Sequence, residues 1–522
     1  MIEVCRMMLS KQNMKKLLEL LIHRFTIASF LIIAQLMLAS VFLVSFNRYF
    51  STYAFLSTII GLGFAIMIIN SNANQASKIS WLVVLMILPL VGGILYVLIG
   101  QTHLSKAHQK RIARSARIFK DHDKEDMLEK EALKQAHPHW IGVSDYIRHQ
   151  AKAPIHRLDH AEYYPDGERF WESLLQQLSK AESFIFMHYF IIKEGVMWDA
   201  ILTILKEKAK QGVTVRVMYD DVGSLFSLPG NYHKTLRSYG IECHVFNPIT
   251  PIATIQHNHR DHRKITIIDG QVGFVGGINL GDEYININSK FGHWKDTACL
   301  ITGDGVNSLT KIFLSTWQYV SNTHDENVDR YFKNHPVQEH QGFVQAFSDS
   351  PLDDEAVGEN IFLSTILQAQ RYVHIFTPYL IISQEMVTAC AIAAKSGIDI
   401  KIFMPGIPDK RSVFLVSRSH YRPLLQAGVK IYEYGPGFLH AKSMVCDDEI
   451  ALIGTINLDY RSLYLHYENA ALFIGHPIIQ DMKKDVEYVL RRSKQINMDV
   501  IKQTPIVIRL VQNALKILAP LL

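Results

Sequence analysis

One pattern of polar residues occurs twice in this chain of 522 residues. Residues 262–279 read HRKITIIDGQVGFVGGIN, and residues 440–457 read HAKSMVCDDEIALIGTIN. Both segments place His, Lys, Asp, Gly and Asn at offsets 0, 2, 7, 14 and 17. A single His-x-Lys-x4-Asp match carries a real risk of chance, whereas two copies in phase indicate an internal duplication. The chain is therefore predicted to fold as two similar units.

Each copy has the pattern of a strand, a tight turn and a second strand. The apolar, alternating runs KITIID and KSMVCD end in Asp-Gly or Asp-Asp, which is typical of hairpin turns. Side chains alternate faces along a strand, so a His and a Lys two positions apart point to the same side. Asn279 and Asn457, beyond the second strands, can add amide donors there.

Two copies brought together would suit a phosphodiester substrate. Lysines and amides can neutralise the phosphoryl oxygens on which transition-state charge accumulates. One neutral histidine can attack phosphorus, while the other protonates the leaving alkoxide and later deprotonates the acceptor. Because the lysines supply positive charge, no metal or other cofactor is expected. The candidate catalytic residues are His262, Lys264, Asp269, His440, Lys442 and Asp447, with Asn279 and Asn457 as candidates for substrate binding.

Some polar residues are expected to be structural. Asp269 and Asp447 stand at the turn, at an odd offset from the histidines, which favours a supporting or turn-stabilising role. A lone histidine on a strand is more often a satisfied core or surface residue than a catalyst. This interpretation applies to His257, His259, His293, His374 and His466.

The doubled motif resembles the signature of the phospholipase D superfamily, HxK(x)4D(x)6G(G/S)xN. Within it, the chain is similar to the family of bacterial cardiolipin synthases. The supporting segments are NHRDHRKITIIDGQVGFVGGINLGDEY (258–284), TPYLI (377–381) and GTINLDYRSLYLHYE (454–468). The segment HWKDTACL (293–300) is similar to the family's W-R-D-T segment, with Lys295 in place of the usual Arg. The resemblance covers essentially the whole chain.

The resemblance implies an α/β fold of two phospholipase D-like repeats about a pseudo-two-fold axis, preceded by N-terminal transmembrane helices. It implies transfer of a phosphatidyl group between two phosphatidylglycerol molecules through a covalent phosphohistidine, giving cardiolipin and glycerol. By analogy His262 is the nucleophile and His440 the general acid/base, an order that the near-symmetry of the motifs leaves open. Glu283 and Glu468 are candidates for orienting the histidines or binding glycerol hydroxyls, or else are ordinary helix-start carboxylates.

The first hundred residues are predicted to form a membrane region. Residues 25–46, 53–70 and 79–99 are apolar, near-spanning in length and without acidic or basic residues, which indicates two or three transmembrane segments. Basic residues flank both ends of the region. Three full crossings would conflict with the positive-inside rule. Either one segment, such as the shorter 53–70, is re-entrant or interfacial, or the N-terminal tail lies outside despite its charge. The catalytic part is expected to face the cytoplasm, with the chain in a bacterial cell membrane.

The remaining chain divides into a charged juxtamembrane linker (101–145), a first repeat (146–335) and a second repeat (336–522). From about residue 150, helix-like and short apolar stretches alternate, as in an α/β protein. The last segment, TPIVIRLVQNALKILAPLL (504–522), is helical in pattern. It either docks on the core, which is favoured, or lies on the bilayer surface.

Other functions fit the same two histidines. A phospholipase D-type hydrolase or a nuclease would use water as acceptor, but the membrane region disfavours a soluble nuclease. A net charge of only +5 gives no sign of nucleic acid binding. A non-catalytic scaffold is disfavoured because both copies keep His, Lys and Asn. Membrane phospholipids are the expected partners, and the sequence leaves the oligomeric state open. The five cysteines are scattered along the chain, which indicates a reduced protein without structural disulfides.

Overall fold

Two large sheets, with helices on their outer faces, form the body of the molecule. The computed structural model describes residues 33–38, 40, 41, 47–100, 111, 115, 118, 119 and 127–521, except 159, 250–257, 288, 289, 324, 326, 334, 336–340, 353 and 354. The strands of these residues are β1 (His156–Arg157), β2 (Ala161–Tyr164), β3 (Phe184–Tyr189), β4 (Thr214–Asp220), β5 (Glu242–Phe246), β6 (Arg260–Asp261), β7 (Lys264–Ile268), β8 (Val272–Gly276), β9 (His293–Lys295), β10 (Ala298–Thr302), β11 (Phe343–Asp349), β12 (Tyr372–Phe376), β13 (Asp399–Pro405), β14 (Lys430–Tyr434), β15 (Gly437–Leu439), β16 (Ser443–Cys446), β17 (Ile450–Gly454), β18 (His466–Ile474) and β19 (Ser493–Ile496).

The α-helices cover the outer faces of the sheets and the N-terminal region. They are α1 (Asn47–Ile69), α2 (Gln75–Ile87), α3 (Pro89–Leu95), α4 (Met127–Ala136), α5 (Ile141–Ala151), α6 (Gly167–Ser179), α7 (Val196–Lys210), α8 (Tyr232–Ser238), α9 (Gly305–Ser321), α10 (Val357–Gln368), α11 (Gln384–Lys395), α12 (Arg411–Ser419), α13 (Tyr421–Ala427), α14 (Tyr460–Tyr464), α15 (Ile478–Arg491), α16 (Met498–Lys502) and α17 (Ile506–Leu518).

The two sheets repeat one strand order, which confirms two similar α/β units. The first sheet runs β2–β10–β8–β7–β3–β4–β5. The second contains β11–β18–β17–β16–β12–β13–β14 in the corresponding places, with β1 and β19 added at its edges. A core between the sheets joins Phe186 and Ile267 to Val445 and Phe473. Separate cores lie under the outer helices. Strands such as β3 are buried along their whole length, as expected where both faces of a sheet are covered.

Both motif copies form the predicted hairpins, β7–β8 and β16–β17. At the first turn Asp269 and Gly270 have positive φ angles of 56° and 69°, and at the second Asp447 and Asp448 have 53° and 61°. Two successive residues with positive φ make the turn whose twist matches that of paired strands. The Asp-Gly and Asp-Asp pairs therefore fix the hairpin register.

The N-terminal region contains one helix, among the residues that the structure describes, that is long and apolar enough to cross a membrane. It is α1, which corresponds to the predicted segment 53–70. The predicted segment 79–99 is divided at Leu88 into α2 and α3, with Pro89 at the first turn of α3. Most of segment 25–46 lies outside the described residues, so several spanning helices remain a prediction.

The second half of the predicted linker is part of the folded body. Residues 101–126 lie mostly outside the described range, but α4 and α5 pack on the outer face of the second sheet through Leu133, Val143 and Ile147. Strand β1 then pairs with β11. Residues 127–157 therefore belong structurally with the second unit, and the first unit begins at β2.

Candidate active site

A short parallel strand pair fixes His262 opposite a carboxylate of the second repeat. Strand β6 pairs with the start of β18, with Asp261 opposite Tyr467. The next residues along are His262 and Glu468. The His262 backbone N–H donates to the Tyr467 carbonyl at 2.9 Å, and His262 Nδ1 lies 3.0 Å from both Glu468 oxygens. With Nδ1 engaged, Nε2 remains for chemistry.

His440 is fixed by the same kind of strand pairing and carboxylate contact, with the roles of the two repeats exchanged. Strand β15 pairs with β9, with Leu439 opposite Lys295. The His440 backbone N–H donates to the Lys295 carbonyl at 2.6 Å. His440 Nδ1 lies 2.6 Å from Asp296 Oδ2. Each histidine is thus held by a carboxylate from the other repeat, and the site exists only where the two units meet.

The two motif lysines are buried and add positive charge at this junction. The ammonium groups of Lys264 and Lys442 donate to the carbonyls of His262 and His440. Both side chains are 2% exposed. Burial lowers the pKa of Lys264 to about 7 and that of Lys442 to about 8, against the attraction of nearby carboxylates. Two buried ammonium groups beside the histidines favour the binding of an anion at this junction.

Both motif histidines have lowered pKa values, so they are neutral at pH 7. Burial, together with the charge of Lys442, lowers the pKa of His440 to about 4. Burial and Lys264 hold the pKa of His262 well below its usual value. A bound phosphodiester would raise both values, because an opposite charge favours the protonated form.

The two supporting carboxylates differ in charge. Burial raises the pKa of Glu468 to about 8, although Ser462 and Thr455 hydroxyls donate to it. Burial also acts on Asp296, but His440 and Lys442 hold its pKa below the usual value. Asp296 approaches closely because Gly277 has no side chain: a Cβ there would lie 2.3 Å from Asp296 Oδ1.

The motif asparagines are not equivalent. Asn279 Oδ1 accepts from the Ile191 N–H at 3.0 Å, and its Nδ2 donates to the Tyr284 hydroxyl at 2.7 Å. Asn457 is 6% exposed, and its Oδ1 accepts no hydrogen bond within the described residues. The side chain of Asn279 is thus fixed by the protein, while the Oδ1 atom of Asn457 is buried without a partner in the described residues.

A second buried acceptor lies on the His440 side. The Tyr379 hydroxyl donates to Asp409 Oδ2 at 2.7 Å, whereas Asp409 Oδ1 is buried and has no hydrogen-bond partner in the described residues. Tyr379 is next to Leu380, which bridges to Leu458, the neighbour of Asn457. The negative charges of Asp459 and Asp409 reach Lys442. Two acceptors without a hydrogen-bond partner in the described residues therefore lie on the Lys442 side of the site.

The other predicted site residues lie apart from the histidines. Asp269 accepts from the backbone N–H groups of residues 182–184, and Asp447 accepts from those of residues 370–372. Both carboxylates thus bind the segment that enters β3 or β12. Glu283 forms an ion pair with Lys193 at 3.1 Å, so of the two predicted glutamates only Glu468 contacts a motif histidine.

Asp296 was missed by sequence reasoning, although its segment had been noticed. The sheet register gives the signal: Ala298 is opposite Gly276, and Ala470 is opposite Gly454. Asp296 and Glu468 each stand two residues before those alanines. They are equivalent positions of the two repeats.

His466, interpreted as structural from sequence, lies with its ring centroid 5.8 Å from that of His262. Within the described part of the chain, His262, His466 and Glu468 form the one group with spacing suited to a metal ion. Burial, Arg461, Arg260 and Lys264 hold the pKa of His466 well below its usual value. Surroundings this rich in cations disfavour a further cation, so the group fits an anion-binding site better than a metal site.

Comparisons with known proteins agree on a family. The family described as cardiolipin synthase, PLD-like domain, matches residues 174–317 and 362–490, slightly more than half of the chain. The phospholipase D-nuclease N-terminal family matches residues 58–101. A cardiolipin synthase of Alkalihalophilus pseudofirmus is 36% identical over 504 residues, covering 96% of this chain and 100% of that protein. One from Geobacillus kaustophilus is 36% identical over 464 residues, covering 88% and 91%.

A solved structure shares the fold. The phosphatidylserine synthase of Haemophilus influenzae superposes with a TM-score of 0.54 at 15% identity, covering 73% of this chain and 100% of that chain. At this identity the likeness concerns the fold alone.

Proposed function

Because the chain belongs to the cardiolipin synthase family with phospholipase D-like domains, we propose that its two crossed histidines transfer a phosphatidyl group between two phosphatidylglycerol molecules through a phosphohistidine. The family makes the chain a phospholipid phosphatidyltransferase. The observation that supports the mechanism is the crossed pairing of His262 with Glu468 and of His440 with Asp296, beside two buried lysines.

In the first step, His262 Nε2 attacks the phosphorus of one phosphatidylglycerol, and protonated His440 gives its proton to the leaving glycerol oxygen. In the second, neutral His440 removes the proton from a hydroxyl of another phosphatidylglycerol, whose oxygen attacks the phosphohistidine. Cardiolipin and free His262 result. Lys264 and Lys442 neutralise the phosphoryl oxygens in both steps.

The unequal carboxylates support this assignment of roles. An ionised Asp296 stabilises the imidazolium that His440 must become. Glu468, with its raised pKa, carries less charge at neutral pH and leaves His262 neutral, as a nucleophile requires. The unpaired acceptors of Asp409 and Asn457 fit the glycerol hydroxyls of the leaving headgroup, on the side of the general acid.

Membrane association is supported by the N-terminal family match and by α1. We further propose a multi-pass arrangement in a bacterial cell membrane, with the catalytic repeats on the cytoplasmic side, where basic residues meet anionic headgroups.

Purified enzyme incubated with phosphatidylglycerol tests the proposal. Cardiolipin and glycerol in equal amounts are expected. Phosphatidic acid as sole product would establish water as the acceptor and a hydrolase instead.

A further inference from the structure

Among the residues that the structure describes, the C-terminal helix α17 contacts the rest of the protein through one side. Gln512 is buried, and Leu515 packs against the cluster formed by Ile381, Val416 and Tyr460. The Ser80 hydroxyl of α2 donates to the carbonyl of Ile517 at 2.5 Å. These contacts dock the helix between α12 and the N-terminal helices.

The apolar side of α17 is turned away from the protein. Ile506, Val507 and Leu510 are 65%, 66% and 62% exposed, and Val511, Ile517 and Leu518 are exposed beside them. These positions share one face of a helix with 3.6 residues per turn. A helix docked on a soluble protein normally buries such a face, so the outward apolar side requires another apolar environment.

The charged residues of the helix are basic. Arg509 lies next to the apolar side, whereas Lys516 lies nearer the docked side, where its charge reaches the buried His420. Residues 506–518 contain no acidic side chain. Basic residues that border an apolar face are typical of helices lying in the membrane interface, where they meet lipid phosphates.

The apolar side continues onto the membrane region. On α2, which α17 contacts, Ile79, Met86 and Ile87 are exposed. On α1, the candidate spanning helix, Phe55, Leu56 and Ile59 are exposed as well. The surface that would face lipid on α1 and α2 thus extends to α17.

We propose that α17 is an interfacial membrane helix, with its apolar side among the acyl chains and Arg509 at the phosphate level. The proposal rests on α1 and the exposed side chains, not on the catalytic assignments. Because α17 packs on α12 and reaches Tyr460 of α14, it holds the His440 half of the site close to the bilayer surface.

A depth measurement on the full-length protein in phosphatidylglycerol vesicles tests this placement. In a Cys5→Ser background, an NBD fluorophore is attached to a cysteine at Val507 or, as a matched control, at Ile392, which is 53% exposed on α11. We expect blue-shifted emission and quenching by lipids brominated on their acyl chains at Val507 only. Equal quenching at both positions, or no quenching at Val507, would overturn the proposal.

A functional readout separates interfacial binding from folding. The variant Val507→Glu/Leu510→Glu should lose about a hundredfold in activity on vesicles, since each of the two apolar side chains removed from lipid costs about tenfold in partition. Its activity on monomeric short-chain phosphatidylglycerol should stay unchanged, as should both activities of Ile392→Glu. Full activity of the double variant on vesicles would contradict the proposal.

Discussion

The two halves of the site share one backbone arrangement and differ in what surrounds each histidine. His262 is paired with Glu468, whose pKa burial raises to about 8, and His440 with Asp296, which keeps its charge. Thr455 donates to Glu468, whereas Gly277, at the equivalent place, leaves room for Asp296. The duplication supplies the geometry, and a few substitutions around it give the histidines different surroundings.

Removing either histidine should have the largest effect and should separate their roles. His262→Ala and His440→Ala are each expected to lose at least ~10⁴-fold in turnover, since nucleophile and acid/base are both essential. With a labelled phosphatidyl p-nitrophenyl ester, whose leaving group needs no acid, label should remain on His440→Ala protein but not on His262→Ala. Label on His262→Ala instead would reverse the assignment. His139→Ala, at an exposed histidine, serves as control.

Neutralising Asp296 should reduce kcat/KM more than neutralising Glu468. Asp296→Asn is expected to lose about 10²–10⁴-fold in kcat/KM, because the imidazolium of His440 loses its ionic partner. At pH 6.5 the decrease in kcat/KM caused by Glu468→Gln should be at least tenfold smaller than that caused by Asp296→Asn. At this pH Glu468, with its pKa of about 8, is already largely uncharged. Steady-state rates on phosphatidylglycerol check this, and equal losses would remove the proposed asymmetry.

The unpaired acceptors on the His440 side should affect headgroup preference. Asp409→Asn is expected to lose about 10–100-fold with phosphatidylglycerol as donor, the value of one or two hydrogen bonds to a charged group. It should act normally on the p-nitrophenyl donor, which has no hydroxyl. Asp199→Asn, at an exposed carboxylate, is the matched control. Equal losses on both donors would mean that Asp409 has only a structural role.

The pH profile should show the two lysines separately. As pH rises through their pKa values of about 7 and 8, Lys264 and then Lys442 lose the charge that binds phosphate, so kcat/KM should fall. In Lys264→Arg the side chain stays charged, so the decrease in kcat/KM should move to higher pH, and by more than it does in Lys442→Arg. The quantity measured is the pH at which kcat/KM has fallen by half on the alkaline side. The same value in wild type and both variants would contradict the proposal that these lysines bind phosphate.

The turn aspartates should behave alike and leave chemistry almost untouched. Asp269→Asn and Asp447→Asn each weaken carboxylate bonds to three backbone N–H groups and should lower the free energy of unfolding by about 1–3 kcal/mol. Thermal denaturation measures the loss. A hundredfold fall in kcat for either variant at a temperature where it is folded would give that aspartate a catalytic role.

The hairpins could be predicted from the sequence because the residues that specify them lie close together in the chain. Alternating apolar residues and turn residues with positive φ specify each strand–turn–strand unit, and the doubling predicted two similar sheets. Asp296 could not be found this way, since its partner is 144 residues further along the chain. The segment from Asn279 to Asp296 is also six residues longer than that from Asn457 to Glu468, so the equivalence is visible only in the strand register.

The crossed carboxylates have a consequence for motion. Since each repeat orients the other's histidine, a small shift of one unit against the other would release both hydrogen bonds together. Any lipid, partner or membrane strain that changes this one alignment would act on attack and proton transfer at once.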